Sequence, residues 1–329
     1  MAYDGKLLRT AMARFEEAKG RRAEDLRTRE RHIYMQFPRV AEIDAELRTT
    51  VGKIISSALR RGTDPRSAIA ALREENLALQ REKAEILQSH GYGADFLDDS
   101  PACERCGDTG WCGSKMCACL KEVYARVQNE ELSKMLDLGS QSFESFDFAL
   151  YSPHADYGRS LSPRANMERV YDACRDYAQE FSPRSTNLLF SGDPGLGKTF
   201  LSASIARVVS GKGFSVVYDT AMNVFSRFEA QKFSRDAGEY GVDEDVERIL
   251  KCDLLILDDL GTEMMTAFVK SAFYQIVNTR LMSGKKTVIS TNLSIDELGA
   301  RYGAAVLSRI EGEYRILPFF GDDIRRMKR

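Results

Sequence analysis

One stretch of this sequence has the residue types and the spacing needed to hold phosphate. It fits the pattern G-x-x-x-x-G-K-[ST] and consists of Gly192, Asp193, Pro194, Gly195, Leu196, Gly197, Lys198 and Thr199. The glycines allow the backbone to turn so that successive N–H groups point at phosphate oxygens. Lys198 supplies a positive charge for the β- and γ-phosphates, and the Thr199 hydroxyl can bind Mg²⁺. The stretch therefore predicts binding of a nucleoside triphosphate together with magnesium.

The residues on either side of this loop have the patterns that such a loop requires. Residues Asn187–Phe190 predict a buried strand, and the stretch from Phe200 to Val209 predicts a helix. A strand, a glycine-rich loop and a helix in this order distinguish a phosphate-binding loop from a glycine turn before an ordinary helix. Phe200, the first residue after the loop, is included in the predicted nucleotide site.

An acidic pair follows a second apolar run. Residues Leu254–Leu257 end in Asp258 and Asp259, as expected of a central parallel strand whose carboxyl end faces a ligand. We expect Asp258 to hold Mg²⁺, directly or through water, and Asp259 to polarise the water that attacks the γ-phosphate. The alternative is a buried strand followed by an acidic turn, which the phosphate-binding loop upstream makes the weaker interpretation.

Further polar candidates lie at the end of a third apolar run and on either side of the last predicted strand. Residues Thr287–Ser290 precede Thr291 and Asn292, and Asn292 is the first candidate for a polar sensor of the γ-phosphate, with Thr291 the second. Asn292 could instead simply begin a turn. Arg309 and Arg325 are candidates because a planar guanidinium stabilises a transferring phosphoryl group. Spacing alone does not assign either arginine.

A cluster of cysteines precedes these motifs. Of seven cysteines, five fall within 103–119, and four of them have the spacing C-x₂-C, ten residues, C-x-C, namely Cys103, Cys106, Cys117 and Cys119. Four thiolates suit a tetrahedral structural Zn²⁺. Three alternatives remain: Cys112 replaces one ligand, the thiols hold no metal, or the C-x-x-C is a redox motif. The redox interpretation lacks the surrounding βαβ pattern.

The composition narrows the class of protein. With 329 residues, of which 43% are hydrophobic and 29% charged, we expect a globular chain of about two domains. The net charge of −2 means that nucleic-acid binding would need a local basic patch. We find neither a membrane-length apolar run nor a signal-peptide core, and so predict a cytoplasmic protein that does not associate with membranes. The isolated Cys174 and Cys252 should pack as small hydrophobes.

The chain divides by composition into four parts. Residues 1–100 form a charged helical region, 101–122 the four-cysteine zinc module, 123–165 a linker, and 166–329 the nucleotide-binding domain. In the first part, apolar residues three and four apart predict a helix from Ile43 to Leu59. Gly62 should end it, and Asp64-Pro65 should begin another helix. A helix hairpin or a small helical bundle is the expected arrangement.

The linker and the last part carry further elements. A helix is expected to about Leu136, followed by the aromatic segment Phe143–Phe148. Beyond residue 165 strands and helices alternate, which predicts a parallel sheet with helices on both faces. The five predicted strands are Asn187–Ser191, Phe214–Tyr218, Asp253–Asp258, Lys286–Ser290 and Tyr314–Pro318.

One stretch after the second of these strands allows two interpretations. Met222, Phe225 and Phe228 recur every third residue, with cations nearby at Arg227, Lys232 and Arg235. Aromatic and basic side chains together could stack on and neutralise single-stranded DNA. Helix-spaced apolar residues can equally be the core-facing side of a helix, and the sequence alone leaves both interpretations open.

Taken together, the motifs carry a resemblance to a known family. The phosphate-binding loop, the acidic strand followed by Leu260-Gly261, the strand end Ser290-Thr291-Asn292 and the closing arginines resemble the bacterial replicative-helicase loaders of the DnaC/DnaI group. This group of AAA+ ATPases also includes the IstB-type transposition helpers. The likeness covers about residues 140–329. It implies an α/β P-loop fold with a five-stranded parallel sheet, a truncated helical lid, and binding of ATP with Mg²⁺.

The resemblance also implies roles for individual residues. Arg309 would be an arginine finger that reaches a neighbouring subunit's ATP, so the protein would be a homo-oligomer with shared sites. Arg325 would contact the ATP of its own subunit, and Phe143–Phe148 would enter the domain beside the adenine site. Asp259 stands where glutamate is commoner, and the shorter acid implies slow hydrolysis.

The partners implied are a replicative DNA helicase, contacted by a zinc-bearing helical N-terminal domain, and single-stranded DNA, bound by the ATPase domain. Two alternatives remain. An IstB-type transposition helper would generally lack a four-cysteine module. A DNA-binding adaptor with a vestigial loop is disfavoured by the intact Lys198, Asp258 and Arg309.

Overall fold

A computed structural model describes residues 3–59, 65–135, 141–155, 160–234 and 242–326. The chain divides into two compact units, Ala13–Cys117 and the combination of Met1–Met12 with Ala118–Arg329. These bounds differ from those expected from composition, because the cysteine segment through Cys117 groups with the helices and the first residues group with the nucleotide-binding part. Among the helices of the described residues, none has both the length and the apolar character needed to cross a bilayer.

The first unit is mainly helical. Its elements are α1 (Gly5–Gln36, of which the first turns belong to the other unit), α2 (Pro38–Leu59), α3 (Pro65–Ser89), and the short strands β1 (Trp111–Cys112) and β2 (Lys115–Met116). Helices α2 and α3 pack together as the predicted hairpin, and α1 adds a third helix. Ile33, Val40, Leu87 and Leu97 form a small buried cluster.

Some of the helical predictions fall outside the described part of the chain. Gly62 and Asp64 lie there, as do the side chains from Val51 to Leu59. The described part of the predicted apolar face includes Ile43, which is buried. Helix α3 begins at Pro65, where proline is favoured because its missing N–H has no partner in the first turn.

The second unit is an α/β domain. Its remaining elements, in chain order, are α4 (Ala118–Met135), α5 (Pro163–Gln179), β3 (Asn187–Ser191), α6 (Lys198–Gly211), β4 (Val216–Thr220), α7 (Ala221–Ser234), α8 (Val242–Lys251), β5 (Leu254–Leu260), α9 (Ala267–Met282), β6 (Lys286–Thr291), α10 (Ile295–Tyr302), α11 (Ala304–Glu313) and β7 (Tyr314–Pro318). Short 3₁₀ turns span Phe143–Ser145, Phe148–Leu150 and Ile324–Arg326. Helix α4 is described through Met135, and the predicted helix end at Leu136 lies outside the described residues.

All five strands expected from the sequence are present and form one parallel sheet. The strand order is β4-β5-β6-β3-β7. Strand β4 begins and ends two residues later than predicted, and β5 and β6 extend further at their carboxyl ends. The α/β fold with a five-stranded parallel sheet is thus confirmed.

The strands read as continuous apolar runs because both faces of the sheet are covered. Along β5, Leu254 and Ile256 pack into one core cluster, while Leu255 and Leu257 pack into another on the opposite face. This alternation follows from the period of two in a β-strand. Because Leu254–Leu257 are all used in core packing, the polar side chains of β5 that can bind a ligand lie at its carboxyl end, at Asp258 and Asp259.

Candidate nucleotide and metal sites

The phosphate-binding loop lies between β3 and α6, as predicted, and two of its glycines are required by close packing. At Gly192 (φ 151°) a Cβ would stand 2.0 Å from the carbonyl oxygen of Phe319. At Gly195 (φ 78°) a Cβ would stand 1.9 Å from Oδ1 of Asp323. The chain after β7 therefore packs directly against the loop, and any side chain at these two positions would displace it.

Lys198 is the first residue of α6, and its side chain is buried. Its Nζ donates to the carbonyl oxygens of Gly192 and Asp193, the latter at 2.8 Å, and to Oδ1 of Asn292 at 2.7 Å. Burial lowers the pKa of the Lys198 ammonium group, while nearby carboxylates, foremost Asp259, act in the opposite direction. Lys198 and Asn292, which the sequence predicted to be the phosphate-binding lysine and the γ-phosphate sensor, are therefore in direct contact.

Sheet order explains this meeting. Strand β6 lies between β3 and β5, and Ser191 at the end of β3 is in register with Thr291 at the end of β6. Asn292 is thus the first residue beyond the sheet edge, beside the loop. Thr291, the second candidate, is buried, and its hydroxyl donates to the carbonyl oxygen of Leu260 at 2.7 Å. It serves the connection between strands and does not line the cleft.

A β-bulge places the acidic pair. Leu257 pairs with Ile289 and Leu260 pairs with Thr291, so Asp258 and Asp259 together lie opposite the single residue Ser290. Ser290 Oγ donates to Asp258 Oδ1 and accepts the backbone N–H of Asp259 at 3.0 Å. Asp259 adopts φ 54°, an uncommon conformation outside glycine. The bulge therefore sends the two neighbouring carboxylates to different places.

Asp258 is buried, and each of its carboxylate oxygens accepts a hydrogen bond from a neutral hydroxyl group. Besides Ser290, the Tyr218 hydroxyl on the adjacent strand β4 donates to Asp258 Oδ2 at 2.7 Å. Burial, together with the charge of Asp258, raises the pKa of Tyr218 well above its usual value, so the phenol keeps the proton that it donates. The sequence analysis did not find Tyr218, because its contact with Asp258 depends on which strands lie next to each other in the sheet.

Asp259 is more accessible than Asp258 and lines the cleft. Burial, and then the charge of Asp258, raise the pKa of its carboxyl, while Lys198 and Arg325 oppose the rise. The described residues that line this cleft of about 340 Å³ are Pro194, Gly195, Gly197, Lys198, Thr199, Asp259, Thr262, Asn292, Ile324 and Arg325. Of these, only Thr262 and Ile324 were not predicted. The predicted residues Gly192, Asp193, Leu196, Phe200 and Asp258 lie around the cleft without lining it.

The two predicted arginines have different surroundings. Arg325 lines the cleft, and its Nε and Nη2 donate to the two carboxylate oxygens of Asp323 at 3.0 and 3.1 Å. Arg309, on α11, contacts α9 instead: Nε donates to Asn278 at 3.0 Å, and the guanidinium lies 4.7 Å from the Tyr274 ring centroid. Arg309 therefore does not line the cleft of its own chain.

The aromatic segment packs beside the phosphate-binding loop. Phe146 lies edge-on to Phe200 at 5.3 Å and stacks with Tyr151 at 5.8 Å. The Tyr151 hydroxyl donates to the carbonyl oxygen of Leu196 at 3.1 Å. These contacts tie the linker to the phosphate-binding loop and to the start of α6. Its placement beside an adenine site stays a prediction.

On α7 the structure decides between the two interpretations left open by the sequence. Phe225 and Phe228 are only 3% and 4% exposed and belong to the core, so these rings are not available to stack on DNA bases. Arg227 pairs with Asp219 at 2.6 Å. Met222 is exposed, and Arg235 lies outside the described residues. Lys232 lies over the ring of Phe268.

The four predicted cysteine ligands lie together. The sulfur atoms of Cys103, Cys106, Cys117 and Cys119 are all within 4.8 Å of one another, and those of Cys103 and Cys117 are 3.7 Å apart. In a tetrahedral site with Zn–S bonds of about 2.3 Å, the sulfurs stand roughly 3.8 Å apart. The donor set therefore fits zinc. Cys112 is exposed on the β1–β2 hairpin and is not part of the group.

Asp108 supports the turn that carries the first two cysteines. Its buried carboxylate accepts the backbone N–H groups of Ala102 at 3.1 Å and Cys103 at 3.0 Å, and pairs with Arg22 at 2.7 Å. Asp108 adopts φ 57°. This residue was not predicted, because an aspartate between two glycines looks like an ordinary turn residue.

Cys174 and Cys252 are fully buried, which confirms their packing as small hydrophobes. Cys252 also lies 3.3 Å from Nη1 of Arg280, a completely buried arginine. The Arg280 guanidinium donates to Thr287 and to the backbone carbonyl oxygens of Ile249 and Lys286, so it links α9 to the end of α8 and to the start of β6.

The site consists of a phosphate-binding loop between a strand and a helix, a second strand that carries two acids near its carboxyl end, and a third strand that lies between these two and ends in a polar residue. These features define an α/β P-loop nucleotide-binding protein. Residues 154–329, just over half of the chain, match the family described as IstB-like ATP binding protein, and the chain belongs to this family. This confirms the membership predicted from the motifs.

Curated relatives point to one branch of that resemblance. The chain is similar to the replicative helicase loader DnaC of Escherichia coli strain K12, at 29% identity over 136 residues, or 41% of this chain and 54% of that one. DnaC of Buchnera aphidicola subsp. Baizongia pistaciae is 28% identical over 48% of this chain and 64% of its own length. The chain thus spans about half to two thirds of the length of these relatives.

A solved structure titled as the DnaC helicase loader also matches. Its TM-score is 0.44 and its identity 23%, with 54% of this chain and 98% of that chain covered. A crystal structure of DnaI matches with a TM-score of 0.41 at 19% identity, covering 50% of this chain and 88% of the other.

Proposed function

We propose that this protein is an ATP-dependent loader of the replicative DNA helicase, acting in the cytoplasm. The observation that carries the proposal is the assembly of Lys198, Asn292 and Asp259 around one cleft beside the phosphate-binding loop. These are the groups that ATP hydrolysis needs: Lys198 begins α6, Asp259 lies near the end of β5, and Asn292 directly follows β6. The similarity to DnaC supports the choice of a helicase as partner.

The ATPase chemistry follows from the site. The N–H groups of the loop and Lys198 hold the phosphates, and Thr199 and Asp258 hold Mg²⁺, with Asp258 acting directly or through water. The metal supplies charge neutralisation for the phosphate oxygens. Asp259 polarises the attacking water, and Asn292 orients it against the γ-phosphate. Because the aspartate side chain is one methylene shorter than glutamate, turnover is slow.

The two arginines complete the site from different chains. Arg325 contacts the ATP of its own subunit, which its position in the cleft supports. Arg309 acts as a finger on a neighbouring subunit's ATP, which its position away from its own cleft supports. The active form is therefore a homo-oligomer whose ATP sites lie between subunits.

The four cysteines hold a structural Zn²⁺. Zinc bound to these thiolates would stabilise the cysteine segment, and its apparent binding energy, on the order of 10 kcal/mol, would be folding energy for this segment. The zinc-bearing helical region contacts the helicase, and the nucleotide-binding domain contacts single-stranded DNA. The state of the bound nucleotide sets whether these partners are held or released.

Affinity capture with the tagged full-length chain tests this proposal. With ATP present, the replicative helicase of the same organism should be recovered, and a Lys198→Ala chain should show a changed ATP dependence of that capture. Recovery of a transposase without helicase would replace the loader by an IstB-type helper. Absence of any ATP turnover, with every DNA and partner tried, would favour the vestigial-loop adaptor.

A further inference from the structure

The structure places an acidic side chain, Asp323, between the phosphate-binding loop and Arg325. We propose that Asp323 is a positioning residue that holds the Arg325 guanidinium at the cleft for contact with a nucleotide phosphate. This inference rests on the proposed binding of ATP and adds a residue to that site.

Asp323 is fixed to the loop independently of the Arg325 side chain. Its Oδ1 lies 1.9 Å from the position that a Cβ of residue 195 would take, so the carboxylate fits only because that residue is glycine. The next residue, Ile324, donates its backbone N–H to the carbonyl oxygen of Gly195 at 3.0 Å. The carboxylate also accepts the backbone N–H of Arg325 at 3.1 Å. The position of the Asp323 carboxylate is therefore set by its packing on the phosphate-binding loop.

The bonds between the two side chains leave donors for a ligand. Asp323 accepts from Nε and Nη2, which form one edge of the guanidinium. An arginine has five N–H donors in a rigid fork, so three remain, including both on Nη1. A phosphate can take this second edge while Asp323 keeps the first.

The high exposure of the Arg325 side chain explains why it needs a positioning residue. Its side chain is 66% exposed, whereas that of Asp323 is 27% exposed. A long, mostly exposed arginine samples many rotamers and loses that freedom on binding. Two parallel bonds to a fixed carboxylate remove much of this freedom before the nucleotide arrives.

Competition between Asp323 and the phosphates would have the opposite effect on ATP affinity, so the direction of the change in affinity decides between the two roles. A carboxylate beside the phosphates could compete with them for Arg325, and its removal would then strengthen ATP binding. The side-on geometry favours positioning over competition because it does not occupy the second edge. The test therefore separates a weakening from a strengthening.

A double-mutant cycle on the full-length chain provides the test, with the dissociation constant of a fluorescent ATP analogue and Mg²⁺ as the measurement. Asp323→Asn, which keeps the size of the side chain, should raise this constant about five- to tenfold through lost preorganisation of the arginine. In an Arg325→Ala chain the same change should have less than about a twofold effect, because the residue it positions is gone. Asp322→Asn is the matched control and should leave binding unchanged.

Tighter or unchanged binding by Asp323→Asn, or an equal loss in both backgrounds, would overturn the positioning role. Should Asp323→Asn fail to fold by circular dichroism, Asp323→Ser can take its place in the same cycle, since serine also lacks the carboxylate that pairs with the guanidinium. It should weaken binding to a similar degree, and wild-type affinity would overturn the proposal. Failure of the wild-type chain to bind ATP would instead contradict the proposed function itself.

Discussion

The ammonium nitrogen of Lys198 lies 2.7 Å from the side-chain oxygen of Asn292. The two residues are far apart in sequence and meet because β6 lies between β3 and β5. The lysine belongs to the phosphate-binding loop, and the asparagine ends the strand beside it. A phosphate that draws the Lys198 ammonium group toward itself therefore also changes the hydrogen bond to Asn292. This bond couples phosphate binding to the end of β6.

Loss of the buried ammonium group should remove ATP binding. Lys198→Ala leaves the loop without its charge, and removal of a buried charged partner costs about 30-fold or more in affinity. Titration with a fluorescent ATP analogue measures the effect. Lys251→Ala, at an exposed lysine paired with Glu247, is the matched control. Unchanged affinity in Lys198→Ala would remove the assignment of the nucleotide site.

Loss of the Asn292 amide should affect turnover more than binding. Asn292→Ala removes a polar group expected to act on the attacking water, so we expect kcat to fall about 10- to 100-fold with a small change in KM. Steady-state phosphate release gives both constants. Asn223→Ala, on α7 and bonded to Asp219, should behave as wild type. A large rise in KM with unchanged kcat would mean that Asn292 only supports Lys198.

Substitutions of Asp258 and Asp259 should affect different properties of the ATPase. Asp259→Asn should retain ATP binding and lower turnover about 10²- to 10⁴-fold, because an amide cannot act as a base. Asp258→Asn should instead weaken the dependence of ATP binding on Mg²⁺. Tyr218→Phe, which removes one hydrogen bond to Asp258 without changing its charge, should shift this Mg²⁺ dependence in the same direction but less. Titrations at several Mg²⁺ concentrations would show the order, and a reversed pattern would exchange the roles of the two aspartates.

A shared site predicts complementation between inactive chains. Arg309→Ala should bind ATP but hydrolyse it slowly, while Lys198→Ala should not bind it. Mixing the two should restore part of the activity, because Lys198→Ala subunits still supply Arg309 to ATP held by their neighbours. The assay is phosphate release at a fixed total protein concentration. No gain on mixing, under conditions where wild type is oligomeric, would argue that Arg309 acts only through its contacts with Tyr274 and Asn278.

The cysteine cluster should bind one metal ion per chain. Cys103→Ser and Cys117→Ser should lose zinc, as measured by elemental analysis of unchelated protein, and should lower the unfolding temperature. Cys112→Ser, at the exposed cysteine outside the cluster, should keep both. Metal loss in Cys112→Ser with retention in Cys117→Ser would reassign the ligands. Metal-free wild-type protein would refute the site.

Sequence reasoning reached the parts of the site whose chemistry is local. The loop, the acidic pair and Asn292 follow from spacing, because each motif ends a strand with a recognisable apolar run. Tyr218 and Ser290, which hold the acidic pair, could not be assigned, since their partners depend on strand order and on a bulge between β5 and β6. A one-residue bulge leaves no mark in an apolar run.

The same limit applies to Asp323 and to the helices. Asp323 acts through its packing on Gly195, and no pattern links positions so distant in sequence. Helix α1 shows few apolar residues, so its length could not be read from periodicity. Phe225 and Phe228 show the reverse case, where a pattern fitted both core packing and DNA binding until burial decided for the core.

The most direct test of the loader assignment is transfer of the purified replicative helicase of the same organism onto circular single-stranded DNA. The account predicts that wild-type protein with ATP raises the amount of helicase on the DNA. Lys198→Ala should fail to do so, although its N-terminal region remains folded. Equal loading with wild type, with Lys198→Ala and without any added chain would contradict the assignment.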